Sequence, residues 1–384
     1  MRISHSKLDM ILKCPMTYYL THIQGISPKT KSAALEIGSA VHWGIEHDTE
    51  DLSEYFKDNA FFKKVDNYTK DQLLPEAMVH GYLKNKDDLF EKILKDPITG
   101  EKLQLIEEYH ELYITGQLKT NYLTDIDHHE FIGIIDLLLL TNKGFIIIDY
   151  KTSTYEPDWD TYLDQIYRYI MLIRSYFPDV PIVKTGIVNI RKTAIRQKKT
   201  ENDIEFLNRM KQEYDLNDEN YVNYHEYPMK DINESLVSNY INNLSKMCDM
   251  AYNIDKNALW YINFNNAVNQ YGKSQFYDIF YHTPDNHLLY QISDHIWNEE
   301  TKTFDSQRDC VALDMQVIDS NNILNKYETF KKEYQIYNEE MLKISNGLHE
   351  FDLECFIENI IKPKYQTDES LLDRYCDTLL KEIM

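Results

Sequence analysis

Two aspartates and a lysine stand in two neighbouring apolar runs of the sequence and could together hold a metal ion next to a phosphate. Asp136 interrupts the run over residues 131–140, and Asp149 ends the run that begins at residue 145. Burying an unpaired carboxylate is costly, so two of them are expected to share a cation. Lys151 follows Asp149 by two positions and therefore points to the same face of a strand. Two carboxylates beside an ammonium are suited to metal-assisted cleavage of a phosphodiester bond.

A β-hairpin would bring these three residues together. The segment Thr141–Gly144 has the composition of a turn, and Gly144 can adopt a positive φ angle. The runs on either side are apolar and rich in β-branched residues, which favours strands. The sequence therefore predicts Asp136 within the first strand and Asp149 at the end of the second.

Predicted helices before and after the hairpin carry further polar groups. The first has Gly38 one turn before His42, and a glycine there lets another segment approach the histidine closely. The second, over residues 159–176, has Gln165 and Tyr169 four positions apart on one face. Locally, a lone helical histidine or a row of aromatic residues is more often part of the packing. Gln165, however, lies on the same helix face as the aromatic residues and needs a hydrogen-bond partner if it is buried.

Three acids precede the hairpin on a segment with the composition of a strand. They are Glu107, Glu108 and Glu111, within residues 105–114. One of them could face the candidate site, and the sequence does not distinguish among them.

Length and composition indicate a folded protein of the cytoplasm. The chain has 384 residues, 43% of them hydrophobic, and contains no run of about 18 apolar residues that could span a membrane. The first residues are too polar for a secretion signal. The five cysteines are scattered, as in a reducing compartment. We therefore expect a cytoplasmic protein.

The net charge of −22 is distributed unevenly. Residues 1–200 have a balance of −4, and residues 201–384 a balance of −18. A nucleic-acid site in the first half thus remains possible, because binding depends on local potential. Residues 180–200 contain no acid and six bases, among them Arg191 and Lys192. This window is the best candidate for phosphate contacts, and a solvated strand edge is an equally good interpretation.

Four motifs follow one another along the chain: Gly38-x-x-x-His42, Gly133-Ile-Ile-Asp136, Asp149-Tyr-Lys-Thr152 and Gln165-x-x-x-Tyr169. Their order and spacing resemble those of the RecB-type nucleases, a branch of the PD-(D/E)XK superfamily that includes phage and CRISPR-associated RecB-like exonucleases. The resemblance covers roughly residues 4–200. The resemblance implies an α/β fold with a restriction-endonuclease-like core, in which a mixed central sheet is flanked by helices.

The resemblance also implies a role for each matching residue. His42, Asp136, Asp149 and the carbonyl of Tyr150 would bind Mg²⁺ or Mn²⁺, and Lys151 would act in catalysis with the two aspartates. The residues expected to position DNA are Gln165 and Tyr169, together with Arg191 and Lys192 from the basic window. The family has one more acid upstream of the Gly-x-x-Asp strand, which we assign to Glu107.

Many relatives in this branch hold an iron–sulfur cluster with four cysteines, and this sequence departs from that pattern. Cys14 matches the first cysteine, but Ser274 and Phe280 stand where two of the others would fall. Because a cluster of this kind needs four thiolates, we expect none here. We expect Tyr271, Phe276 and Phe280 to form an aromatic core in its place and to contact the N-terminal helix.

The residues and the resemblance together predict a Mg²⁺-dependent deoxyribonuclease. The resemblance implies an exonuclease of recombination, repair or phage DNA metabolism that acts on DNA with a free end, located in the host cytoplasm if a phage encodes it. The nuclease domain would span residues 1–285, with a helical insertion at about 50–105. Residues 286–384 would form an acidic, mainly helical extension that could bind a protein partner. The alternatives are a structure-specific endonuclease, or a DNA-binding or assembly subunit whose nuclease site is secondary.

Overall fold

A computed structural model describes residues 2–28, 33–58, 68–119, 128–269, 272–273, 276–281, 290–292, 296–298, 303–305 and 322–332. The chain divides into two compact units, Met1–Tyr327 and Glu328–Met384. The expected domain boundary at about residue 285 lies outside the described residues. Among the helices that are described, none is long and apolar enough to cross a membrane.

The first half of the chain contains both strands and helices, and four helices within residues 33–93 precede three successive strands within residues 105–153. In chain order, the described strands are β1 (Arg2–Ser4), β2 (Ile26–Pro28), β3 (Leu105–Lys119), β4 (His128–Thr141), β5 (Gly144–Ser153), β6 (Ile182–Arg191), β7 (Val222–Pro228), β8 (Val268–Asn269), β9 (Gly272–Lys273), β10 (Tyr290–Ile292), β11 (Ile296–Asn298) and β12 (Thr303–Asp305). The helices are α1 (His5–Lys13), α2 (Pro15–Tyr18), α3 (Ala33–Glu46), α4 (Ser53–Asp58), α5 (Tyr68–Lys84), α6 (Lys86–Ile93), α7 (Leu163–Tyr176), α8 (Asp203–Leu216), α9 (Asp218–Tyr221), α10 (Glu234–Lys256), α11 (Phe264–Ala267) and α12 (Tyr277–Tyr281). A further helix covers residues 322–332.

A mixed six-stranded sheet forms the centre of the first unit. Its order is β1-β4-β5-β6-β7, and β3 pairs with the other edge of β4. The pairs β3–β4, β4–β5 and β6–β7 are antiparallel, whereas β1–β4 and β5–β6 are parallel. Because α7 connects the parallel strands β5 and β6, it packs against the sheet, as crossover helices do. The predicted α/β fold with a mixed sheet between helices is confirmed.

The predicted hairpin is the pair β4–β5. Thr141 pairs with Gly144 at the turn, and Gly144 has a φ of +129°. The ladder ends at the pair Leu137–Ile148. Beyond this pair β4 and β5 separate. There β1 pairs with residues 130–132 of β4, along the same edge of β4 that pairs with β5 nearer the turn. The hairpin is therefore open at the end that carries the two aspartates.

Two apolar cores lie on opposite faces of the sheet. One contains Ile147 of β5 together with Ile166 and Ile170 of α7, and it extends to α1 and α10. The other contains Ile148 of β5 and is covered by α3, α5 and α8. Side chains alternate between the faces of a strand, so successive residues of β5 enter different cores. This alternation gives each face its own covering helices.

Two glycines allow the covering helices to approach the open end of the hairpin. A Cβ at Gly38 of α3 would lie 3.3 Å from Thr152 Oγ1 of β5. A Cβ at Gly133 of β4 would lie 2.6 Å from Leu172 Cδ1 of α7, closer than real Cβ contacts. The close approach beside His42 that the sequence predicts is therefore present.

The first helices also contact a later segment of the chain. The Trp260 ring stacks on Tyr19 at 5.2 Å, and the Met16 amide donates to the Tyr261 carbonyl. Phe276 is fully buried against Leu20. Phe280 joins this cluster. Cys14, between α1 and α2, is a buried free thiol. Tyr271 and Ser274 lie outside the described residues, so the contact predicted for this segment is present through Phe276 and Phe280.

Candidate active site

The candidate site lies where β4 and β5 separate. Asp136 and Asp149 are the next residues after the last ladder pair and so stand opposite each other at the opening. The Tyr150 amide donates to Asp136 Oδ2 at 2.7 Å. In this way the Asp136 carboxylate satisfies a backbone group that has lost its ladder partner. Strand separation thus brings the two carboxylates and the Tyr150 backbone to one place.

His42, Glu111 and Asp136 form a cluster that could hold a metal ion. His42 Nδ1 lies 3.7 Å from Glu111 Oε1 and 3.8 Å from Asp136 Oδ2. One potential ligand atom from each of the three residues lies within 4.8 Å of the others. Two carboxylates and an imidazole are a suitable donor set for Mg²⁺ or Mn²⁺. Among the residues described, this is one of two such clusters.

The acid of β3 that lies in this cluster is Glu111, and not Glu107, to which we assign the upstream acid from the sequence. Both Glu107 carboxylate oxygens lie 2.6 Å from Lys326 Nζ, and Oε2 also accepts from the Tyr109 hydroxyl. Glu107 is thus held by an ion pair outside the cluster of His42, Glu111 and Asp136. The Leu112–Ile135 and His110–Leu137 pairs of the β3–β4 ladder flank Glu111 and leave it opposite Asp136.

Glu111 has an unusual backbone conformation. Its φ is +46°, within the left-handed region that residues other than glycine rarely adopt. Such a conformation costs on the order of 1–3 kcal/mol and persists where the surrounding structure enforces it, often at functional sites. Here the paired residues on both sides of Glu111 fix its position in β3 while its carboxylate faces His42.

Lys151 belongs to a hydrogen-bonded network on the α7 side of the opening. Its Nζ lies 2.5 Å from Asp149 Oδ2 and donates to Gln165 Oε1 at 2.9 Å. The Gln165 amide donates to Asp149 Oδ1 at 2.9 Å and contacts the Tyr169 hydroxyl at 2.6 Å. That hydroxyl also lies 3.3 Å from Asp149 Oδ1. Asp149 is therefore bound on both oxygens, and the predicted pair Gln165–Tyr169 does lie beside Lys151.

Tyr150 connects the site to the helical layer on the opposite face. Its ring lies in the core under α3 and α5, and its hydroxyl is 2.9 Å from the Tyr82 hydroxyl. The His42 and Tyr150 rings meet edge to face at 6.1 Å. The backbone of Tyr150 is thus fixed between Asp136 on one side and two aromatic contacts on the other.

Burial and charge shift the pKa values of the ionisable groups. Burial lowers the pKa of His42, but Asp136 and hydrogen-bonded Glu111 outweigh it and raise the pKa to about 9. Burial raises the pKa of Asp149 to about 6 against the effect of Lys151, and it also raises the pKa of Asp136. Burial lowers the pKa of Lys151, but the two aspartates raise it above its ordinary value. At neutral pH, His42 and Lys151 are therefore cationic in the absence of metal.

The basic window is only partly available for phosphate contacts. Lys184 is fully buried, donates to the Lys92 and Lys95 carbonyls and pairs with Glu226, so it belongs to the fold. Arg191 ends β6 and donates to the Asn220 carbonyl. The exposed bases of the loop that follows are Arg196, Lys198 and Lys199.

Of the two bases predicted to position DNA, neither joins the network around Lys151 in the described structure. The Lys192 amide donates to the Ser153 carbonyl at 2.7 Å, which places its backbone two residues beyond Lys151 along the neighbouring strand. Burial lowers the pKa of the Lys192 side chain. Arg191 and Lys192 therefore lie next to the site, at the same end of the sheet.

Comparisons with known proteins identify the family of this chain. Curated protein sequences contain no significant match. A solved structure described as "Crystal structure of SSO0001" is 12% identical, with 63% of this chain and 83% of that chain covered and a TM-score of 0.24. That similarity is too weak to carry a conclusion. The family model of the PD-(D/E)XK nuclease superfamily matches residues 2–250, which include all the residues of the site. The chain therefore belongs to the PD-(D/E)XK nuclease superfamily.

Proposed function

We propose that this protein is a Mg²⁺- or Mn²⁺-dependent deoxyribonuclease, and that it acts as an exonuclease. The observation that carries the proposal is the pairing of two groups across the open hairpin. A donor cluster of His42, Glu111 and Asp136 stands on one side, and Lys151 with its network stands on the other. The superfamily consists of nucleases, and this arrangement supports an intact site in this member.

Each residue then has a definite task. His42, Glu111 and Asp136 would hold the ion, with Asp149 and the Tyr150 carbonyl completing its surroundings. A bound divalent ion polarises the phosphate and lowers the pKa of bound water. Its charge would also offset the mutual repulsion of the buried carboxylates and would favour neutral His42 over the protonated form.

Lys151 would stabilise negative charge on the phosphate. Since its pKa is raised by the two aspartates, it carries a proton at neutral pH and is better suited to electrostatic stabilisation than to proton abstraction. Gln165 holds the ammonium through its side-chain oxygen and Asp149 through its nitrogen. Gln165 and Tyr169 would thus orient both catalytic groups, and Arg191 and Lys192 would hold the strand at the adjacent end of the sheet.

The choice of an exonuclease in recombination, repair or phage DNA metabolism rests on the resemblance to RecB-type enzymes. We also infer a cytoplasmic protein without an iron–sulfur cluster. The apolar contacts of Phe276 and Phe280 with the first helices support the latter. Stoichiometric iron and sulfide in anaerobically purified protein would contradict it.

The second candidate is a DNA-binding or assembly subunit. The observation that favours it is the balance of −18 in residues 201–384, a charge that repels DNA and suits a protein partner. A structure-specific endonuclease is the third possibility, because the same metal site serves both modes of cleavage.

A cleavage assay separates these candidates. Linear and closed circular DNA are incubated with the protein and Mg²⁺, Mn²⁺ or EDTA. We expect loss of linear DNA alone, dependent on metal and abolished in Asp136→Asn and Lys151→Met, with both variants shown to be folded by circular dichroism. Cleavage of circular DNA would favour the endonuclease. DNA binding without cleavage in either metal would favour the subunit.

A further inference from the structure

Asn189 is a buried polar residue next to the site without an assigned task. Its side chain is fully buried in β6, and within the described part of the chain neither Nδ2 nor Oδ1 has a hydrogen-bond partner. Nearly all buried polar groups are hydrogen-bonded, and leaving one unpaired is unfavourable. An amide with both ends unpaired therefore needs an explanation.

The sheet places Asn189 directly beside Lys151. The two residues are register partners in the parallel β5–β6 ladder. The neighbours Val188 and Ile190 belong to the core under α3 and α5, so alternation directs Asn189 to the opposite, α7 face. Lys151 reaches Gln165 of α7 and is therefore on that face too. Side chains of register partners on neighbouring strands stand about 5 Å apart at their bases.

A short 3₁₀ helix, Trp159–Tyr162, extends over this part of the sheet. At one end, Lys151 Nζ lies 5.4 Å from the centre of the Tyr162 ring. At the other end, the Trp159 ring stacks on His225 of β7 at 4.8 Å. Strand β6 runs between these two contacts, which explains how Asn189 is shielded from solvent.

The contacts of Asp149 indicate what Asn189 could do. Asp149 Oδ1 is engaged by Gln165 and Tyr169, whereas Oδ2 is engaged by Lys151. If Asp149 offers Oδ2 to a divalent ion, Lys151 loses one of its two acceptors while it remains in a buried site. An ammonium has three donors and needs acceptors there.

We propose that Asn189 is a positioning residue for Lys151: its Oδ1 accepts a hydrogen bond from the Lys151 ammonium when Asp149 turns to a divalent ion. The inference rests on the proposed metal-dependent function. The orphaned amide then serves as a second acceptor that keeps the ammonium aligned with the site while Gln165 provides the first.

Substitution of Asn189 by leucine tests the proposal, because leucine has a similar shape and no acceptor. We expect Asn189→Leu to keep or raise the melting temperature, since it removes an unsatisfied buried group. We expect kcat to fall on the order of tenfold to a hundredfold with KM for DNA unchanged, because a catalytic group is misplaced and binding is not. Asn189→Asp retains an acceptor oxygen and should restore most of kcat.

The matched control is Thr185→Val. Thr185 is a second fully buried residue of β6 whose side-chain oxygen lacks a partner among the described residues, and it lies four positions before Asn189. It should tolerate the change without loss of kcat. Three results would overturn the proposal: unchanged kcat in Asn189→Leu, a raised KM with unchanged kcat, or an equal loss in Thr185→Val.

A structural measurement keeps this test separate from that of the proposed function. In a crystal structure of the wild-type protein with Mn²⁺, we expect Lys151 Nζ within about 3.2 Å of Asn189 Oδ1. A structure in which Asn189 contacts only water would overturn the proposal even if the protein cleaves DNA. If the wild-type protein does not cleave DNA, the proposed function fails, and this distance still decides the role of Asn189.

Discussion

At the scale of single residues, the site depends on which acid of β3 faces Asp136. Alternation along a strand puts positions 107 and 111 on the same face and 108 on the other, so sequence spacing could not separate Glu107 from Glu111. The structure separates them through a backbone feature, the positive φ of Glu111, and through the ion pair of Glu107 with Lys326. Local sequence patterns cannot reveal an ion-pair partner that lies more than two hundred residues away in the chain.

The first prediction compares these two acids. Glu111→Gln removes a carboxylate from the His42–Asp136 cluster and should weaken Mn²⁺ binding and lower kcat/KM, each by at least about tenfold. Glu107→Gln is the matched control on the same strand. It breaks a half-exposed ion pair and should change the free energy of unfolding by no more than about 1 kcal/mol, with activity unchanged.

Calorimetric titration with Mn²⁺ and a cleavage assay on both variants measure the comparison. Equal losses of metal affinity in the two variants would contradict the assignment of Glu111.

The second prediction concerns pH. The pKa of His42 is raised to about 9 in the metal-free protein, so at neutral pH a proton must leave before the imidazole can bind a metal. Affinity for Mn²⁺ should therefore rise as pH increases from 6.5 to 8.5, with release of about one proton per ion at pH 7.5. In the metal-free protein, the free energy of unfolding changes with pH in the opposite direction from the metal affinity. The fold favours protonated His42, so this contribution to stability is fully present below the pKa of an unfolded histidine. It is lost as pH rises through about 9.

Titrations in two buffers with different ionisation enthalpies measure the proton release. His42→Gln should abolish it, because the substituted side chain does not titrate. Proton release that persists in His42→Gln would show that another group is responsible.

At the scale of elements, the sequence predicted the hairpin, its turn and the two helices that supply His42 and Gln165. These features depend on local periodicity and turn chemistry, which a sequence displays directly. It did not predict that β4 and β5 separate at Asp136. It also predicted that the second strand ends at Asp149, whereas β5 continues to Ser153 because its later residues pair with β6. Nor did it predict that β1 would fill the vacated edge, since that pairing joins residues 2–4 to residues 130–132. Both features depend on contacts distant in sequence.

The third prediction tests how closely α7 must approach β4. Gly133→Ala would place a Cβ 2.6 Å from Leu172 Cδ1, and relief of that clash requires Leu172 or the helix to move. We expect a loss of about 1–3 kcal/mol in the free energy of unfolding. We also expect a lower kcat, because Tyr169 is one turn before Leu172 on α7.

Urea denaturation of Gly133→Ala, Leu172→Ala and the double variant measures the coupling. The double variant should lose less stability than the two single losses added together, because the shortened side chain makes room for the new methyl group. Strict additivity would show that the glycine is not required for this contact.

At the scale of the whole molecule, the sequence predicted a nuclease domain that ends near residue 285, and the compact unit ends at Tyr327. The helix over residues 322–332 contributes Ile323 and Tyr327, exposed by 3% and 6%, to the same core as α7. Lys326 of this helix pairs with Glu107 of β3. The composition of this region is acidic and favours helices. Composition alone does not show which helix packs against the apolar core that earlier elements form.

The fourth prediction follows from these contacts. A chain that ends at Lys332 retains the helix and should keep the stability of the nuclease unit. A chain that ends at Asp319 lacks Ile323 and Tyr327, and it should lose roughly 3–6 kcal/mol, given about 1.5–3 kcal/mol for each large apolar side chain removed from the core. Urea denaturation followed by tryptophan fluorescence compares the two chains with the full-length protein.

Replacement of Ile323 by aspartate in the full-length protein is the internal control, because it disrupts the same contact without shortening the chain. If the chain that ends at Asp319 is as stable as the full-length protein, the helix is not part of the folding unit, and the boundary near residue 285 is the better description.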